Sequence, residues 1–196
     1  MTASQRRVAV IADAGTYVGP ELARHLAARD HDLVLGDPDD ALVAELQEVG
    51  SQVVAVPGVR NLAKPESAPA LFTAALDRFG RVDAAVAASG RIVTGRFVDS
   101  TLDDLQKVVT GCLEAPDHFL KAAVPVNAVG TNFMDFPDFI RSAGAEDPAV
   151  RAKLESRVPL GRLGTMAEAA AFCMPFLDGT SRFTTGQFVA YAGGWA

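Results

Sequence analysis

A glycine-containing turn near the N-terminus carries the first side chains that could do chemistry. It reads Ala12-Asp13-Ala14-Gly15-Thr16-Tyr17-Val18-Gly19 and follows the apolar run 8–12. A turn between a strand and a helix binds the pyrophosphate of a dinucleotide when glycines permit a tight bend and close approach of the backbone. Here the Asp13 carboxylate would repel phosphate and the Tyr17 ring would fill its volume. Pro20 removes one N–H group at the start of the next helix, so this turn predicts no dinucleotide site.

A second segment of chemical interest lies in the C-terminal half and reads Gly130-Thr131-Asn132-Phe133-Met134-Asp135-Phe136-Pro137. A buried Asn132 needs a hydrogen-bond partner, either a ligand or the backbone of its own loop. Phe133 and Met134 could line a pocket or pack as ordinary core residues. The sequence has no His-Glu-x-x-His motif, no Gly-x-Ser-x-Gly motif and no metal-spaced cluster, so we expect no metal.

The elements that would position these residues alternate between strand and helix. Apolar runs without alternation predict strands that are buried on both faces, and a helical pattern follows most of them. Predicted strands cover 8–12, 33–35, 52–56, 82–87, 126–130 and 187–191, and predicted helices cover 20–28, 39–49, 66–79, 102–109, 116–124 and 165–177. This order predicts a doubly wound parallel sheet of Rossmann type, in three α/β/α layers and one domain over residues 1–196. His25 and His31 flank the first helix, and we expect both at the surface.

Composition limits the classes of function. The 196 residues include 24 acidic and 18 basic side chains, a net charge of −6, so we expect neither nucleic acid nor an anionic membrane surface as a partner. Cys112 and Cys173 form no C-x-x-C pair, which favours a reduced, cytoplasmic protein. The apolar stretches are all shorter than a membrane span requires.

Three motifs near the C-terminus give the sequence a family resemblance. They are Val126-Asn127-Ala128-Val129-Gly130, the segment Val158–Gly164, and Thr185-Gly186-Gln187 followed by Ala192–Trp195. With the N-terminal strand, turn and helix, they resemble the short-chain dehydrogenase/reductase superfamily over essentially the whole chain. The resemblance implies a Rossmann-type sheet, a small-molecule substrate and a homodimer or homotetramer, whereas function must be argued at the site.

The sequence departs from that family where the family binds its nicotinamide cofactor. Against the family turn T-G-x-x-x-G-x-G, Asp13 stands at the first glycine and Tyr17 at the second, and only Gly19 is retained. Two further loops also differ: Ala88-Ser89-Gly90 replaces Asn-Ala-Gly, and Pro57-Gly58-Val59 replaces an adenine-contacting Asp. Asp37 could serve a ribose hydroxyl, but we favour a solvated turn carboxylate. We therefore expect no cofactor, with NAD or NADP as the alternative.

A narrower resemblance is to the halohydrin dehalogenases, a branch of the superfamily that carries no cofactor. Their turn has an aromatic residue in the glycine position, which Tyr17 matches, whereas Ala12 departs from their threonine. Asn132, Phe133 and Met134 lie where that branch builds the rest of its halide pocket. The resemblance implies a lyase that converts vicinal halohydrins to epoxides plus halide, and in reverse opens epoxides with small anions. Ring edges and N–H groups in a dry cavity suit a large anion such as bromide.

The segment that carries the family's catalytic serine, tyrosine and basic residue is missing from the sequence. Pro125 runs directly into Val126, where the family has a strand and a crossover helix of on the order of 50 residues. Either part of a longer polypeptide is omitted at this point, or the protein has a real deletion. We favour omission because loss of a central strand would leave unpaired backbone on two neighbours. A normal peptide bond between Pro125 and Val126 would favour deletion instead.

Three functions therefore remain in competition. A cofactor-independent dehalogenase is the leading hypothesis, with Tyr17, Asn132, Phe133 and Met134 at the substrate and halide site and no catalytic residue in the sequence as it stands. An NAD(P)-dependent reductase with an eroded turn (Asp13, Gly15, Tyr17, Gly19) is the second. The third is a non-catalytic member of the family that binds a partner.

Overall fold

The computed structural model describes residues 6–60, 62, 64–87, 101–103 and 127–194. Strands and helices alternate there, so the predicted α/β class is confirmed. The elements in chain order are β1 (Arg7–Ile11), α1 (Gly19–Ala27), β2 (His31–Gly36), α2 (Asp40–Glu48), β3 (Val53–Val56), α3 (Ser67–Phe79), β4 (Ala84–Val86), β5 (Ala128–Thr131), α4 (Pro137–Ala143), α5 (Pro148–Glu155), α6 (Met166–Leu177) and β6 (Phe188–Tyr191). No helix within these ranges has the length and apolar character needed to span a bilayer.

Four parallel strands form the main sheet, in the order β3-β2-β1-β4. β1 is central, and its Ile11 pairs with Leu35 of β2 and with Val86 of β4. The side chains of Val8–Ile11 are at most 1% exposed. Helices cover both faces of the sheet, which explains why this strand is an unbroken apolar run. Because the strands are parallel, the turns that follow them lie at the same edge, where open α/β sheets bind their ligands.

β5 and β6 form a separate parallel pair, from Ala128 opposite Phe188 to Thr131 opposite Tyr191. In the part of the chain that the structure describes, no strand pairs with the outer edge of β4 or with the second edge of β5. This interruption agrees with the missing strand inferred from the sequence. The junction between Pro125 and Val126 lies outside the described residues, as do Ala88-Ser89-Gly90 and nearly all of the helices predicted over 102–109 and 116–124.

Packing between α1 and α6 connects the two sheets. Leu22 and Leu26 of α1 lie one helical turn apart, on the same face, and both are at most 1% exposed. They share a buried cluster with Met174 and Leu177 of α6. The position of the loop after β5 relative to the turn after β1 therefore depends on side-chain contacts between these two helices.

A capping box fixes the start of α6. The Thr165 hydroxyl oxygen accepts a hydrogen bond from the Glu168 backbone N–H at 3.2 Å, and the Glu168 carboxylate accepts one from the Thr165 N–H at 2.9 Å. These reciprocal bonds satisfy two N–H groups that a helix end leaves without partners. The predicted helix start at Thr165 is confirmed, and Pro175 lies inside the last turn as predicted.

His31 is the clearest error in the prediction of surface residues. β2 begins two residues earlier than its apolar run indicates, so His31 belongs to the sheet and is only 1% exposed. Its Nδ1 donates to the Arg29 carbonyl oxygen at 2.9 Å, and Arg7 Nε donates to its Nε2 at 3.3 Å. Burial lowers the pKa of the imidazole, which favours the neutral ring that this hydrogen-bonding pattern requires.

Candidate functional site

The turn between β1 and α1 is held together by the carboxylate that the sequence predicts would repel a phosphate. Asp13 is 7% exposed. Its Oδ1 accepts a hydrogen bond from the Gly15 N–H at 3.2 Å, and its Oδ2 accepts one from the Thr16 hydroxyl at 2.5 Å. Arg60 Nε lies 3.4 Å from Oδ1 and offsets the charge. The repulsion of phosphate that the sequence predicts for Asp13 is reduced by these contacts, because the side chain is turned into its own loop and faces Arg60.

Two glycines in this turn are required by close backbone packing. A Cβ on Gly19 would overlap the carbonyl oxygen of Asp13 and would lie 3.0 Å from the Ala14 Cα atom. A Cβ on Gly15 would lie 2.7 Å from an Arg60 guanidinium nitrogen and 2.8 Å from the Asp37 carbonyl oxygen. Gly19 thus allows α1 to start directly against the end of β1, which is one of the three roles of glycine in a dinucleotide-binding turn.

Asp37 connects the end of β2 to the loop after β3. Its Oδ1 accepts a hydrogen bond from the Gly58 N–H at 2.6 Å, and its Oδ2 accepts one from the Arg60 N–H at 2.7 Å. The interpretation of Asp37 as a merely solvated turn residue is wrong, since each oxygen holds a backbone donor more than 20 residues away. Arg60, which sequence reasoning missed, is placed by these bonds beside both Asp13 and Gly15. No local pattern around residue 60 signals this arrangement.

Tyr17 lies in the left-handed region of the backbone, with φ 49°, which side chains other than glycine rarely adopt. The family has glycine at this position. The ring contacts Phe136 edge to face, with centroids 6.1 Å apart and planes at 72°. Burial raises the pKa of the phenol, and the carboxylates of Asp138 and Asp13 raise it further. The hydroxyl is therefore protonated at neutral pH and can donate a hydrogen bond.

The structure brings Asn132, Phe133 and Met134 together at a cavity of about 100 Å³. The Asn132 side-chain oxygen accepts a hydrogen bond from the Phe133 N–H at 2.9 Å, so the side chain caps its own loop, one of the two arrangements that its sequence context allows. Phe133 and Met134 are 6% and 3% exposed. Tyr17 does not line this cavity, but it packs in the same cluster as Met134. The four predicted residues thus lie close together, with three on the cavity and the fourth against its outer wall.

Arg162, Glu168 and Tyr191 also line the cavity, and sequence reasoning missed all three as site residues. Arg162 donates to both Glu168 carboxylate oxygens, at 2.9 and 2.5 Å. Hydrogen bonding from Arg162 lowers the pKa of Glu168 to about 2, with further help from Thr165. Burial raises the pKa of Tyr191, so its hydroxyl also stays protonated at neutral pH. The spacing Thr-x-x-Glu at 165–168 is a signal that could have identified Glu168.

The described residues contain no group of three or more histidine, cysteine, aspartate or glutamate side chains placed to hold a metal ion. The polar groups of the turn after β1 and of the cavity are instead backbone N–H groups, the arginines Arg60 and Arg162, and the carboxylates paired with them. Such a set suits a ligand that combines polar and apolar parts.

Comparison with known proteins places this arrangement in a family. A family model described as enoyl-(acyl carrier protein) reductase matches residues 15–130, more than half of the chain. A Streptomyces virginiae protein that carries the name of a monensin polyketide synthase ketoacyl reductase is 25% identical over 257 residues, covering 99% of this chain and 98% of that protein. The 3β-hydroxysteroid dehydrogenase 1 of Eggerthella lenta is 24% identical over 252 residues, covering 95% of each.

These alignments are longer than the chain. An alignment of 257 positions exceeds the 196 residues of this chain by about 60, so the relative has residues that this chain lacks. The omission or deletion between residues 125 and 126 stays a prediction.

Solved structures agree on the fold. A doubly substituted variant of a Serratia marcescens short-chain dehydrogenase/reductase superposes with a TM-score of 0.84 at 16% identity, covering 97% of this chain and 98% of that one. YwfH, titled an NADPH-dependent reductase involved in bacilysin biosynthesis, superposes with a TM-score of 0.76 at 15% identity, with the same coverage. At these identities the similarity establishes the Rossmann-like fold and nothing finer.

The hypothesis of cofactor-free chemistry is contradicted by these relatives. The matching family model and the two relatives carry the names of reductases and a dehydrogenase, and none of the three carries the name of a dehalogenase. The error has a physical origin in the first turn, where Asp13 was assigned a repulsive charge that the fold neutralises. Because this family model spans the end of the turn, the strands β2 to β4 and nearly all of β5, the chain belongs to the short-chain dehydrogenase/reductase family.

Proposed function

We propose that this chain belongs to an NAD(P)-dependent oxidoreductase that interconverts a carbonyl and a hydroxyl group on a small molecule. The observation that carries the proposal is the inward-turned carboxylate of Asp13, which bonds the Gly15 N–H and pairs with Arg60. This arrangement leaves the turn after β1 without the repulsive charge that would exclude pyrophosphate. The names of the relatives, which are reductases and a dehydrogenase, support the same activity.

The residues around this turn fit the adenosine and pyrophosphate parts of a dinucleotide. Gly15 and Gly19 have no side chains at the edge where the backbone would meet the phosphates. The start of α1 adds the positive end of a helix dipole, although Pro20 contributes no N–H group. Asp37 accepts one backbone bond on each oxygen, and a carboxylate has further lone pairs for a ribose hydroxyl. Arg60 supplies a half-exposed cation beside them.

We further propose that Asn132, Phe133, Met134 and Tyr17 surround the reacting end of the ligands. A bound nicotinamide supplies the hydride that a carbonyl substrate accepts. Phe133 and Met134 would exclude water from that end, because both are buried and apolar. The chain has two tyrosines, Tyr17 and Tyr191, and both phenols have raised pKa values. Each can donate a hydrogen bond, but neither is tuned to release a proton near neutral pH.

Proton transfer in this protein would therefore rely on a group other than these tyrosines. The family's serine, tyrosine and basic residue belong to a segment for which this sequence has no counterpart, and the relatives align over about 60 more positions than the chain contains. Cofactor binding and catalytic turnover are thus separable properties. If this protein binds the cofactor but does not reduce a carbonyl substrate, it corresponds to the non-catalytic member of the family that the sequence leaves as an alternative. We also propose, from the family, that the protein forms a homodimer or homotetramer.

The test is a fluorescence titration of the full chain with NADH and with NADPH. We expect saturable binding by at least one of them. Gly15→Val should weaken that binding at least about tenfold, because the new side chain would meet Arg60 and the Asp37 carbonyl. Gly144→Asn is the matched control, since Gly144 has φ 67° and nothing within 4 Å of an added Cβ. Wild-type protein that binds neither dinucleotide would contradict the proposal.

A second assay separates a catalyst from a binding protein. Wild-type chain is mixed with the dinucleotide that binds and with a β-keto ester or a steroid ketone, two carbonyl compounds that follow from the named relatives. Oxidation of the reduced cofactor that depends on the ketone would establish a reductase. Saturable binding without oxidation would assign the chain to the non-catalytic members.

A further inference from the structure

The Tyr17 side chain joins the two halves of the ligand crevice. It rises from the turn after β1, and its ring meets Phe136 in the loop after β5 at a centroid distance of 6.1 Å. Asp37 and Arg60, which fit the adenosine end, are linked to the turn after β1 through Asp13. The cavity at Asn132 and the residues after it is lined by the loop after β5. The contact between the two rings thus joins the turn that fits one end of a dinucleotide to the loop that lines the cavity.

The backbone at Tyr17 has a left-handed conformation, which it shares with Asp30, Asp37 and Phe133 among the described residues other than glycine. The φ angle of 49° at Tyr17 is common for glycine and unfavourable for tyrosine. The side chain recovers part of this cost by packing with Met134 and Phe136. Strained residues of this kind cluster at ligand clamps and switch regions, and they persist where surrounding contacts hold them.

We propose that Tyr17 is a gate across the dinucleotide crevice, closed by its edge-to-face contact with Phe136. The inference rests on the proposed function and adds an order of events to it. The adenosine end docks first against Asp37 and Arg60, and the Tyr17 ring then leaves Phe136 before the nicotinamide end enters. The gate makes dinucleotide binding a two-step process. It does not affect a ligand that occupies only the adenosine end.

Three variants separate the ring from the backbone and from the hydroxyl. Tyr17→Asn removes the ring and places at this position the residue that, after glycine, best tolerates a left-handed backbone. Tyr17→Phe keeps the ring and removes only the hydroxyl. Phe136→Leu removes the partner ring, leaves Tyr17 intact and roughly preserves apolar volume.

The experiment is stopped-flow fluorescence with NADH on the full chain, with ADP competition in parallel. For wild type and Tyr17→Phe, we expect the observed binding rate to level off as NADH rises, because opening of the ring limits it. For Tyr17→Asn and Phe136→Leu, the observed binding rate should rise linearly with the NADH concentration. The affinity for NADH should increase about threefold to tenfold, which corresponds to the loss of one aromatic pair that opening must otherwise break. ADP affinity should be the same in all four proteins.

Two results would overturn the proposal, and they differ in what they say of the function. Equal NADH rates and affinities in wild type, Tyr17→Asn and Phe136→Leu would dismiss the gate and leave cofactor binding in place. Failure of both NADH and ADP to bind any of the four proteins would dismiss the proposed function together with the gate. Circular dichroism of each variant establishes that it is folded before it is compared.

Discussion

Replacement of Gly19 by alanine should destabilise the protein, although alanine is the better helix former. The added Cβ would overlap the Asp13 carbonyl oxygen and lie 3.0 Å from the Ala14 Cα atom. Both obstacles are backbone atoms that cannot rotate away, so we take the upper end of the usual overpacking cost, about 3 kcal/mol. Alanine in a helix recovers up to about 1 kcal/mol relative to glycine. The net expected loss in the free energy of unfolding is about 2 kcal/mol.

Urea denaturation followed by circular dichroism measures this loss. The midpoint should fall at unchanged m-value, and the melting temperature should drop by about 4–8 °C for a chain of this size. Gly144→Asn is the control, because Gly144 has a left-handed φ that asparagine tolerates and open space around it. It should cost less than about 1 kcal/mol. A Gly19→Ala midpoint equal to that of wild type would refute the close approach between α1 and the end of β1.

Further predictions concern α6, β2 and the half-buried thiol of Cys173. Thr165→Ala should lower the free energy of unfolding by about 1 kcal/mol through loss of the helix cap, measured by urea denaturation. The pKa of Glu168 falls to about 2 in the folded protein. Its contribution to the free energy of unfolding is therefore complete above the ordinary glutamate pKa of 4.5 and is lost as the pH falls towards 2. Glu168→Gln should flatten this dependence of stability on acid pH. The pKa of His31 is lowered below 6.5, so the unfolded chain binds the proton more readily and stability should fall as the pH drops through 6.5; His31→Gln should remove that slope, and a wild-type curve that is already flat would contradict the burial. Burial raises the pKa of Cys173 to about 11, so in a Cys112→Ser background the thiol should react with a disulfide reagent much more slowly in the native protein than in urea.

The sequence predicts most of the described strands and helices, because their signals are local, but it misses the short helices α4 (Pro137–Ala143) and α5 (Pro148–Glu155). The apolar run at Val8–Ile11 identifies the central strand, and Thr165 marks the start of α6. The β2 boundary is less well predicted because His31 is polar. Its burial depends on Arg7, 24 residues earlier in the chain, which supplies the hydrogen bond that makes it possible.

The candidate site is predicted in part. The grouping of Asn132, Phe133 and Met134 follows from their adjacency in one loop, and the structure places them on a common cavity. The charge environment of Asp13 could not be predicted, because it depends on Arg60, which is brought close by the loop after β3. The sequence shows which residue types stand in the turn after β1. The direction in which each side chain points is set by neighbours that are distant along the chain.

The division of the strands into two sheets has a mechanical consequence. Within residues 6–87 and 127–194, as far as they are described, the β1 and β5 sheets share no ladder of backbone hydrogen bonds, and Leu22, Leu26 and Met174 lie in the core between α1 and α6. Packed helices slide over one another at small cost, whereas a hydrogen-bonded ladder does not stretch. The width of the crevice can therefore adjust to the length of a bound molecule by shear between two helices, with every strand pairing preserved.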